Sequence, residues 1–449
     1  MAESFEVLTV VDIGSFKLKG LVIELEPGRP HVEAHSTVTA RGFEGGELKD
    51  IVALRESLET LVQDLSSQLT RKMESYFVIS FSDRTTLLRE STYTIELSPG
   101  DPVPIREEHV FSLFDAISAG KAEKALEDES FELIGAARSI LHVIPQNYIL
   151  DGARTVLNPI EMEATSLGMT ASIVSLDSTV KDSISNAFGG VVGEKPGVFS
   201  SSFVSAEVVL NTMEKERGVV CIDFGHSFTT VSAYLNGAIY YMKAIDQGIK
   251  HVVKDIAQVF HTSFDEAQRL MIQYGKVALK DKQNDSISYT LLDGKTNKQI
   301  ARSQLSIVIY AKIREILNSI KREMRLITSK MVKEGEQGIP GGVVITGGGA
   351  NIEGLVEFLR DSFKVQVRIG HVGTGSMEIQ TPDETRSPIF SACFGNLHWY
   401  QIFGGGDQAE ALPVAERKER KRKKSTPKHP KKQGPSTFEK IVEFLKKLV

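Results

Sequence analysis

The stretch VVDIGS (residues 10–15) returns in altered form as CIDFGHS (residues 221–227). In both stretches an apolar run ends at an Asp, a glycine and a small hydroxyl residue follow, and another apolar run begins. Each predicts a strand, a turn of small residues and a returning strand, the first pair lying at residues 7–12 and 20–25. The repeat predicts an α/β fold of two related halves, each a sheet with helices, which face each other across a cleft.

The two turns have the composition of a phosphate site. Turns of small residues expose backbone N–H groups that can cradle phosphate oxygens. Two such turns facing each other can clamp a polyphosphate, with Asp12 and Asp223 holding the waters of a Mg²⁺ that prefers octahedral oxygen ligands. One turn alone would indicate an ordinary hairpin, so the interpretation depends on the second copy and on a run of glycines further along the chain.

That glycine run follows the apolar residues 342–345 and precedes a helical pattern from Ile352. Glycines let a backbone approach a ligand closely, and the N-terminus of a following helix favours an anion. A flexible loop is the alternative, but the strand–loop–helix context favours contact with a phosphate or nucleoside. The residues concerned are Gly347, Gly348, Gly349 and Ala350.

Length and composition fit a globular protein of several units. The chain has 449 residues, 41% of them hydrophobic and 25% charged, and domains average roughly 150 residues. No run approaches the 18 or so apolar residues of a spanning helix, and the start lacks the basic region of a signal peptide. Cys221 and Cys393 lie in apolar stretches, which predicts buried reduced thiols and a reducing cytosol.

The net charge of -5 conceals two parts of opposite sign. Residues 417–449 contain 13 Lys and Arg against three acidic residues, which leaves residues 1–416 strongly acidic. An acidic body repels nucleic acid and anionic lipid over most of its surface. The charge and Pro-rich composition after Gln401 predict a disordered linker, and the absence of interleaved aromatic residues argues against nucleic-acid binding.

The last 14 residues, STFEKIVEFLKKLV, recover a helical pattern. One face of this predicted helix is apolar and the other is largely basic, and so short a helix is marginal in water unless it docks. A bilayer interface with anionic lipid suits it best, while a fold back onto the body or a partner's groove remains the alternative. The residues predicted to contact the membrane are Phe438, Lys440, Ile441, Val442, Leu445, Lys446, Lys447 and Leu448.

The order of these segments is similar to that of the five nucleotide-contact segments of the actin-like ATPase superfamily: DIGS with Lys19, then SAE, DFGHS, TGGGA and CFG. Within that superfamily the chain resembles the FtsA family of bacterial cell-division proteins along its whole length, in stretches such as ARGFEGGELKD, GIKHVVKDIA and GIPGGVVITGGGA. The resemblance implies these parts: a first half at 1–82, 163–206 and about 384–401; an inserted subdomain at 83–162; a second half at 207–245 and 305–383; a nucleotide and partner subdomain at 246–304; a linker at 402–435; and a membrane-targeting helix at 436–449.

The resemblance also assigns roles to single residues. Lys19 would meet the β- and γ-phosphates, and Glu207 would orient the attacking water. Gln268 stands where the family often has Glu, and His226 is untypical of the second phosphate segment. The nucleotide contacts that it implies are Asp12, Gly14, Ser15, Lys19, Asp223, Gly225, Ser227, Gly248, Glu266, Arg269, Gly347, Gly348, Gly349 and Ala350.

The function implied is that of an ATP- and Mg²⁺-binding protein that polymerises and tethers a ring of the tubulin-like protein FtsZ to the cytoplasmic face of the cell membrane at the division site. The C-terminal peptide of FtsZ would dock at about 246–304, later division proteins would be recruited, and catalysis would be at most a slow ATPase. The rivals are a small-molecule kinase of the same superfamily, for which no acceptor base is visible, and an actin-like adaptor of a pilus or secretion apparatus, which typically lacks the basic linker and terminal helix.

Overall fold

A computed structural model describes residues 6–25, 30–71, 75–118, 138–278, 285–333, 338–373 and 379–403. The predicted terminal helix, and all of the predicted linker after residue 403, lie outside the described residues. In the described part no helix has both the length and the apolar character needed to cross a bilayer.

The first half opens with the predicted hairpin. β1 pairs antiparallel with β2 and parallel with β6, so the first DxG turn lies at the end of a central strand. Asp50 caps α1 by accepting hydrogen bonds from two backbone N–H groups, and the helix ends at Ser67. The elements are β1 (Glu6–Ile13), β2 (Lys17–Leu25), β3 (His31–Thr39), β4 (Phe43–Glu44), β5 (Glu47–Leu48), α1 (Ile51–Ser67) and β6 (Tyr76–Phe81).

An inserted segment forms its own antiparallel sheet in the order β10-β9-β12-β7. Its strand Ser166–Asp177 pairs with strands on both sides, so the sheet continues past residue 162, where the insert was expected to end. The elements are β7 (Leu87–Glu96), β8 (Val103–Pro104), α2 (Glu107–Ser118), β9 (Arg138–Leu150), β10 (Arg154–Val156), β11 (Glu163–Ala164) and β12 (Ser166–Asp177).

A short connecting region leads from the insert to the second half. β13 joins β6 at the edge of the first sheet, which has the order β13-β6-β1-β2-β3. α4 is buried on all sides from Ser202 to Val209. The elements are α3 (Ser178–Val192), β13 (Gly197–Ser200), α4 (Ser201–Val209) and α5 (Thr212–Arg217).

The second half repeats the first. Its sheet has the order β16-β15-β14-β19-β20, in which β14 pairs antiparallel with β15 and parallel with β19, as β1 does with β2 and β6. The predicted duplication is therefore confirmed at the level of topology. The elements are β14 (Val219–Phe224), β15 (Thr229–Leu235), β16 (Ala238–Ile245), α6 (Ile249–Phe260), α7 (Phe264–Tyr274), β17 (Ser286–Thr290), β18 (Asn297–Ala301), α8 (Arg302–Lys333), β19 (Val343–Thr346), α9 (Leu355–Phe363), β20 (Val367–Ile369) and α10 (Ser391–Phe403).

Two helices join the halves at their base, where α10 packs against α4. The backbones of the two helices approach closely at Gly395, where a Cβ would lie 2.1 Å from the carbonyl oxygen of Val204. Cys221 and Cys393 are buried free thiols, as predicted. Both DxG turns lie on the cleft between the two halves that these helices join.

Candidate functional site

A cleft of about 460 Å³ opens between the two halves. Both DxG turns and the glycine triplet contribute to its walls, so the structure brings together three segments that lie far apart in the sequence. The predicted site residues that line the cleft are Asp12, Gly14, Ser15, Lys19, Asp223, Gly225, Ser227, Gly347, Gly348 and Gly349.

The two turns are built alike. A Cβ placed on Gly14 would lie 2.8 Å from the carbonyl oxygen of Lys17, and a Cβ on Gly225 would lie 2.8 Å from that of Phe228. Each turn therefore needs a residue without a side chain, because real Cβ contacts are not that short. This shared steric requirement explains why glycine occupies the same position in both copies.

Asp12 anchors the first turn. Its carboxylate accepts a hydrogen bond of 2.6 Å from Ser201 Oγ and forms an ion pair with Lys19 Nζ. Burial opposes the charged form of Lys19, but the attraction of Asp12 outweighs it and raises the pKa of the ammonium. Lys19 therefore stays protonated in the cleft, where it supplies a cation.

Asp223 occupies the matching position in the second turn. Burial, together with repulsion from Asp12, raises the pKa of its carboxyl to about 6, while Lys19 acts in the opposite direction. The hydroxyl of Ser227, on the same turn, is buried with no hydrogen-bond partner among the described residues. The second turn thus offers the cleft a carboxylate and a hydroxyl, and a ligand or its waters can form hydrogen bonds with both.

The glycine triplet, residues 347–349, lies against the side chain of Asp223. Gly347 has a φ of +80°, and a Cβ there would lie 2.1 Å from Asp223 Oδ1. A short 3-10 turn over Gly348–Asn351 follows, and the next helix starts at Leu355, not at the predicted Ile352. Ala350 is buried and does not appear among the lining residues, so the predicted ligand contact at Ala350 is not seen.

Glu207 does not reach the cleft. Its carboxylate pairs with Lys215 Nζ at 2.6 Å, and both side chains are about nine-tenths buried. The structure therefore does not bring Glu207 to the cleft, and its role in orienting a water stays a prediction. The physical reason is that Glu207 lies on the inner part of α4, where an ion pair satisfies its charge.

Glu266 and Arg269 also lie away from the cleft. They form a bidentate pair with two N···O distances of 2.7 Å. Glu266 further accepts a hydrogen bond from Thr290 N, and Arg269 donates one to Ser288 O, so the pair fastens α7 to β17. The structure shows a structural role for both residues, and their predicted contact with a nucleotide stays a prediction.

Gly248 supports the site from behind. A Cβ there would lie 2.4 Å from the carbonyl oxygen of His226, so Gly248 lets α6 start against the second turn. It is not among the cleft-lining residues. The structure shows this packing role, and the predicted direct contact of Gly248 with a nucleotide stays a prediction.

The face of α7 that does line the cleft was missed. Gln268, Met271, Ile272 and Gly275 recur at the spacing of one helical face. The Oε1 of Gln268 is buried with no hydrogen-bond partner among the described residues. The helical spacing was available in the sequence and would have separated these residues from Glu266 and Arg269. Phe16 and His226 also line the cleft and were not assigned to it.

Two family models match the chain. The model of cell division protein FtsA matches residues 220–395, and the model of the SHS2 domain inserted in FtsA matches residues 96–175. Together they cover more than half of the sequence, including the second DxG turn, the triplet and most of the inserted sheet. The chain belongs to the FtsA family.

Individual relatives agree with this assignment. The chain is 28% identical to the cell division protein FtsA of Borreliella burgdorferi over 370 residues, which cover 80% of this chain and 83% of the relative. It is 23% identical to FtsA of Escherichia coli strain K12, with 87% and 89% covered. Among solved structures, a chain of the PilM–PilN type IV pilus biogenesis complex aligns with a TM-score of 0.60 at 15% identity, covering 87% of this chain and 98% of its own. The fold is therefore actin-like, with the FtsA-type insert.

Proposed function

We propose that this FtsA-family chain binds ATP with Mg²⁺ in the cleft, polymerises in that state, and tethers an FtsZ ring to the cytoplasmic face of the cell membrane at the division site. The observation that carries the nucleotide part is the convergence of two glycine turns, a glycine triplet and Lys19 on one cleft. Backbone N–H groups from three segments and one cation form a suitable environment for a chain of phosphates.

The carboxylates fit a magnesium ion held through water. Burial, with a smaller contribution from repulsion by Asp12, raises the pKa of Asp223, and a divalent cation near both carboxylates would favour their charged forms. Among the described residues no group of three or more His, Cys, Asp or Glu could hold a metal alone. Mg²⁺ suits such a site, because it usually keeps several waters and takes the rest of its ligands from carboxylates and substrate phosphates.

The far end of the cleft suits a nucleoside. Met271 and Ile272 offer apolar surface for a base, and the free Oε1 of Gln268 can accept a hydrogen bond from a hydroxyl or amino group. Gly275 lines the cleft beside them. This mixture of apolar surface and few polar groups is typical of small-molecule sites.

Catalysis in this proposal is slow at most. The carboxylates that line the cleft in the described part are Asp12, Asp83 and Asp223. The Asp83 carboxylate accepts hydrogen bonds from Thr85 and Thr86 at both of its oxygens. Asp12 is paired with Lys19, and this proposal assigns Asp223 to the waters of the metal, so no lining carboxylate is assigned to activate a water. Such a cleft suits an assembly switch more than a rapid enzyme.

Calorimetry on the full chain tests the nucleotide part. ATP with Mg²⁺ should bind at one site, and Asp223→Ala should weaken binding at least tenfold because it removes a charge that organises the metal's waters. Leu326→Ala, at an exposed position of α8 that does not line the cleft, is the control and should bind normally. Absence of binding to the unaltered chain would end the proposal.

The tether rests on the sequence of the terminal helix and its basic linker. One helix of this size binds a bilayer weakly, so several tails on one polymer would convert weak attachment into avidity. Phe438→Glu with Leu445→Glu should release the chain from vesicles containing anionic lipid while ATP binding persists. Salt should weaken attachment only in part, since it screens the basic residues and not the apolar face. Co-sedimentation of the double variant at the level of the full chain would contradict the tether.

The FtsZ peptide is proposed to dock on residues 246–304. This region exposes the apolar side chains Val259, Phe264 and Leu292, and the last is 73% exposed. Leu292→Asp should weaken binding of the FtsZ C-terminal peptide, whereas Leu326→Asp on α8 should not. Peptide binding that was lost only on changes in the inserted sheet would move the interface there. Recruitment of later division proteins would follow from the assembled ring.

A further inference from the structure

Phe16 and His226 stack on each other across the cleft. Phe16 belongs to the turn after β1 and His226 to the turn after β14, and their ring centroids are 4.9 Å apart with an interplanar angle of 20°. Both residues line the cleft. The stack therefore connects the two halves at the turns that face the phosphate end.

The surroundings keep this ring pair stacked. The imidazole is largely buried and lies near Lys250 and His251; these influences lower the pKa of His226 to about 4. The ring is neutral at neutral pH and packs on Phe16 without a buried charge. The backbone also holds His226, because its carbonyl oxygen accepts a hydrogen bond of 2.9 Å from Lys250 N.

Two cations flank the pair, one from each half. Lys17 Nζ lies 5.9 Å from the centre of the Phe16 ring, and Lys250 is close enough to His226 to lower its pKa. Lys17 lines the cleft, so an anionic group that enters at this end meets a positive charge beside the Phe16 ring. The ring pair therefore lies between the two halves and beside the turns that are proposed to hold the phosphates.

We propose that Phe16 and His226 form a clasp that holds the two phosphate turns together and slows the release of a bound nucleotide. The second part rests on the proposed nucleotide site, whereas the first concerns the halves alone. Opening of the cleft moves one turn away from the other and separates the rings. His226 and Phe16 are positioning residues in this scheme, since they act on the turns and not on a reacting atom.

The release rate of a fluorescent ATP analogue from the full chain measures the clasp. Phe16→Ala and His226→Ser should each speed release about 3- to 10-fold, the range that one aromatic pair supports. The double variant should release no faster than about twice either single variant, because both changes remove the same contact. His226→Phe keeps a stacked ring and should restore slow release. Effects that multiply in the double variant, or unchanged release in the single variants, would overturn the clasp.

Hydrogen exchange on the nucleotide-free chain separates this inference from the nucleotide proposal. Amides of residues 14–19 and 225–229 should exchange faster in Phe16→Ala and in His226→Ser, and at the original rate in His226→Phe. If the unaltered chain bound no nucleotide, the proposed function would fail while this exchange measurement still decided the clasp. Unchanged exchange in both turns would refute it.

Discussion

Asp223 places a carboxylate in a partly buried position beside a second one, Asp12. Its folded-state pKa of about 6 exceeds the ordinary value of 3.8, so between these pH values the folded chain holds a proton that the unfolded chain has released. The free energy of unfolding therefore falls as the pH rises through this window, by on the order of 2–3 kcal/mol. The cleft without ligand is less stable at neutral pH than it would be with a neutral residue here.

Asp223→Asn should accordingly raise the thermal midpoint of the nucleotide-free chain by several degrees at pH 7.5. The gain should shrink towards zero near pH 4, where the native carboxyl is already protonated. Scanning calorimetry of both chains at the two pH values measures this difference. A gain of equal size at both pH values would show that charge is not its source.

Glu207 and Lys215 illustrate a different use of charge. Breaking a buried ion pair by removing one partner leaves the other charge unpaired, which costs about 3 kcal/mol or more. Glu207→Gln should lower the unfolding midpoint in denaturant and leave ATP affinity within twofold, and Lys215→Met should do the same. Loss of ATP hydrolysis in Glu207→Gln at unchanged stability would instead return this residue to the cleft.

Among the elements, the loop after β19 makes the most specific steric demand. Gly347→Ala would place a methyl group against the Asp223 carboxylate at a positive φ. Gly193 has a φ of +86° with nothing within 4 Å of a methyl carbon placed there, so Gly193→Ala carries similar backbone strain without the clash. Calorimetry should show ATP affinity reduced more than tenfold in the first variant and unchanged in the second. Equal affinities would mean that the triplet does not shape the site.

The elements that could be predicted are those that apolar periodicity defines. The strand Tyr76–Phe81, the helices α6 and α7 and the hairpin at Asp293 are of this kind, since each buries one face or needs one turn. Which side chains of a helix point into a cleft depends on tertiary packing, and a local pattern does not determine it. Ser263 caps α7 through Glu266 N, but the Glu266 carboxylate turns to Arg269 and to the neighbouring strand.

The same limit applies to Glu207, which lies on α4 but does not line the cleft in this structure. The serines of that helix that line the cleft, Ser201, Ser202 and Ser205, share one face, and Glu207 lies off that face. By contrast, the glycines of the turns were recognisable because their steric requirement is local. Stacking of Phe16 on His226 could not be read from the sequence, since it depends on how the two halves meet.

On the scale of the whole molecule, two sheets of the same topology are joined by the packed helices α4 and α10, and the two DxG turns lie on both sides of one cleft. A ligand that touches both halves stabilises their closed arrangement in proportion to its differential affinity for that state. This coupling is the physical basis on which nucleotide could control assembly. It requires that both halves contact the same ligand.

Hydrogen exchange of the full chain with and without ATP and Mg²⁺ tests that requirement most directly. We predict that amides of three segments, residues 14–19, 225–229 and 347–350, slow together on addition of nucleotide, while those of the exposed Asp293 turn do not change. Protection confined to one half, or no protection in any of the three segments, would contradict a nucleotide clamped between the halves.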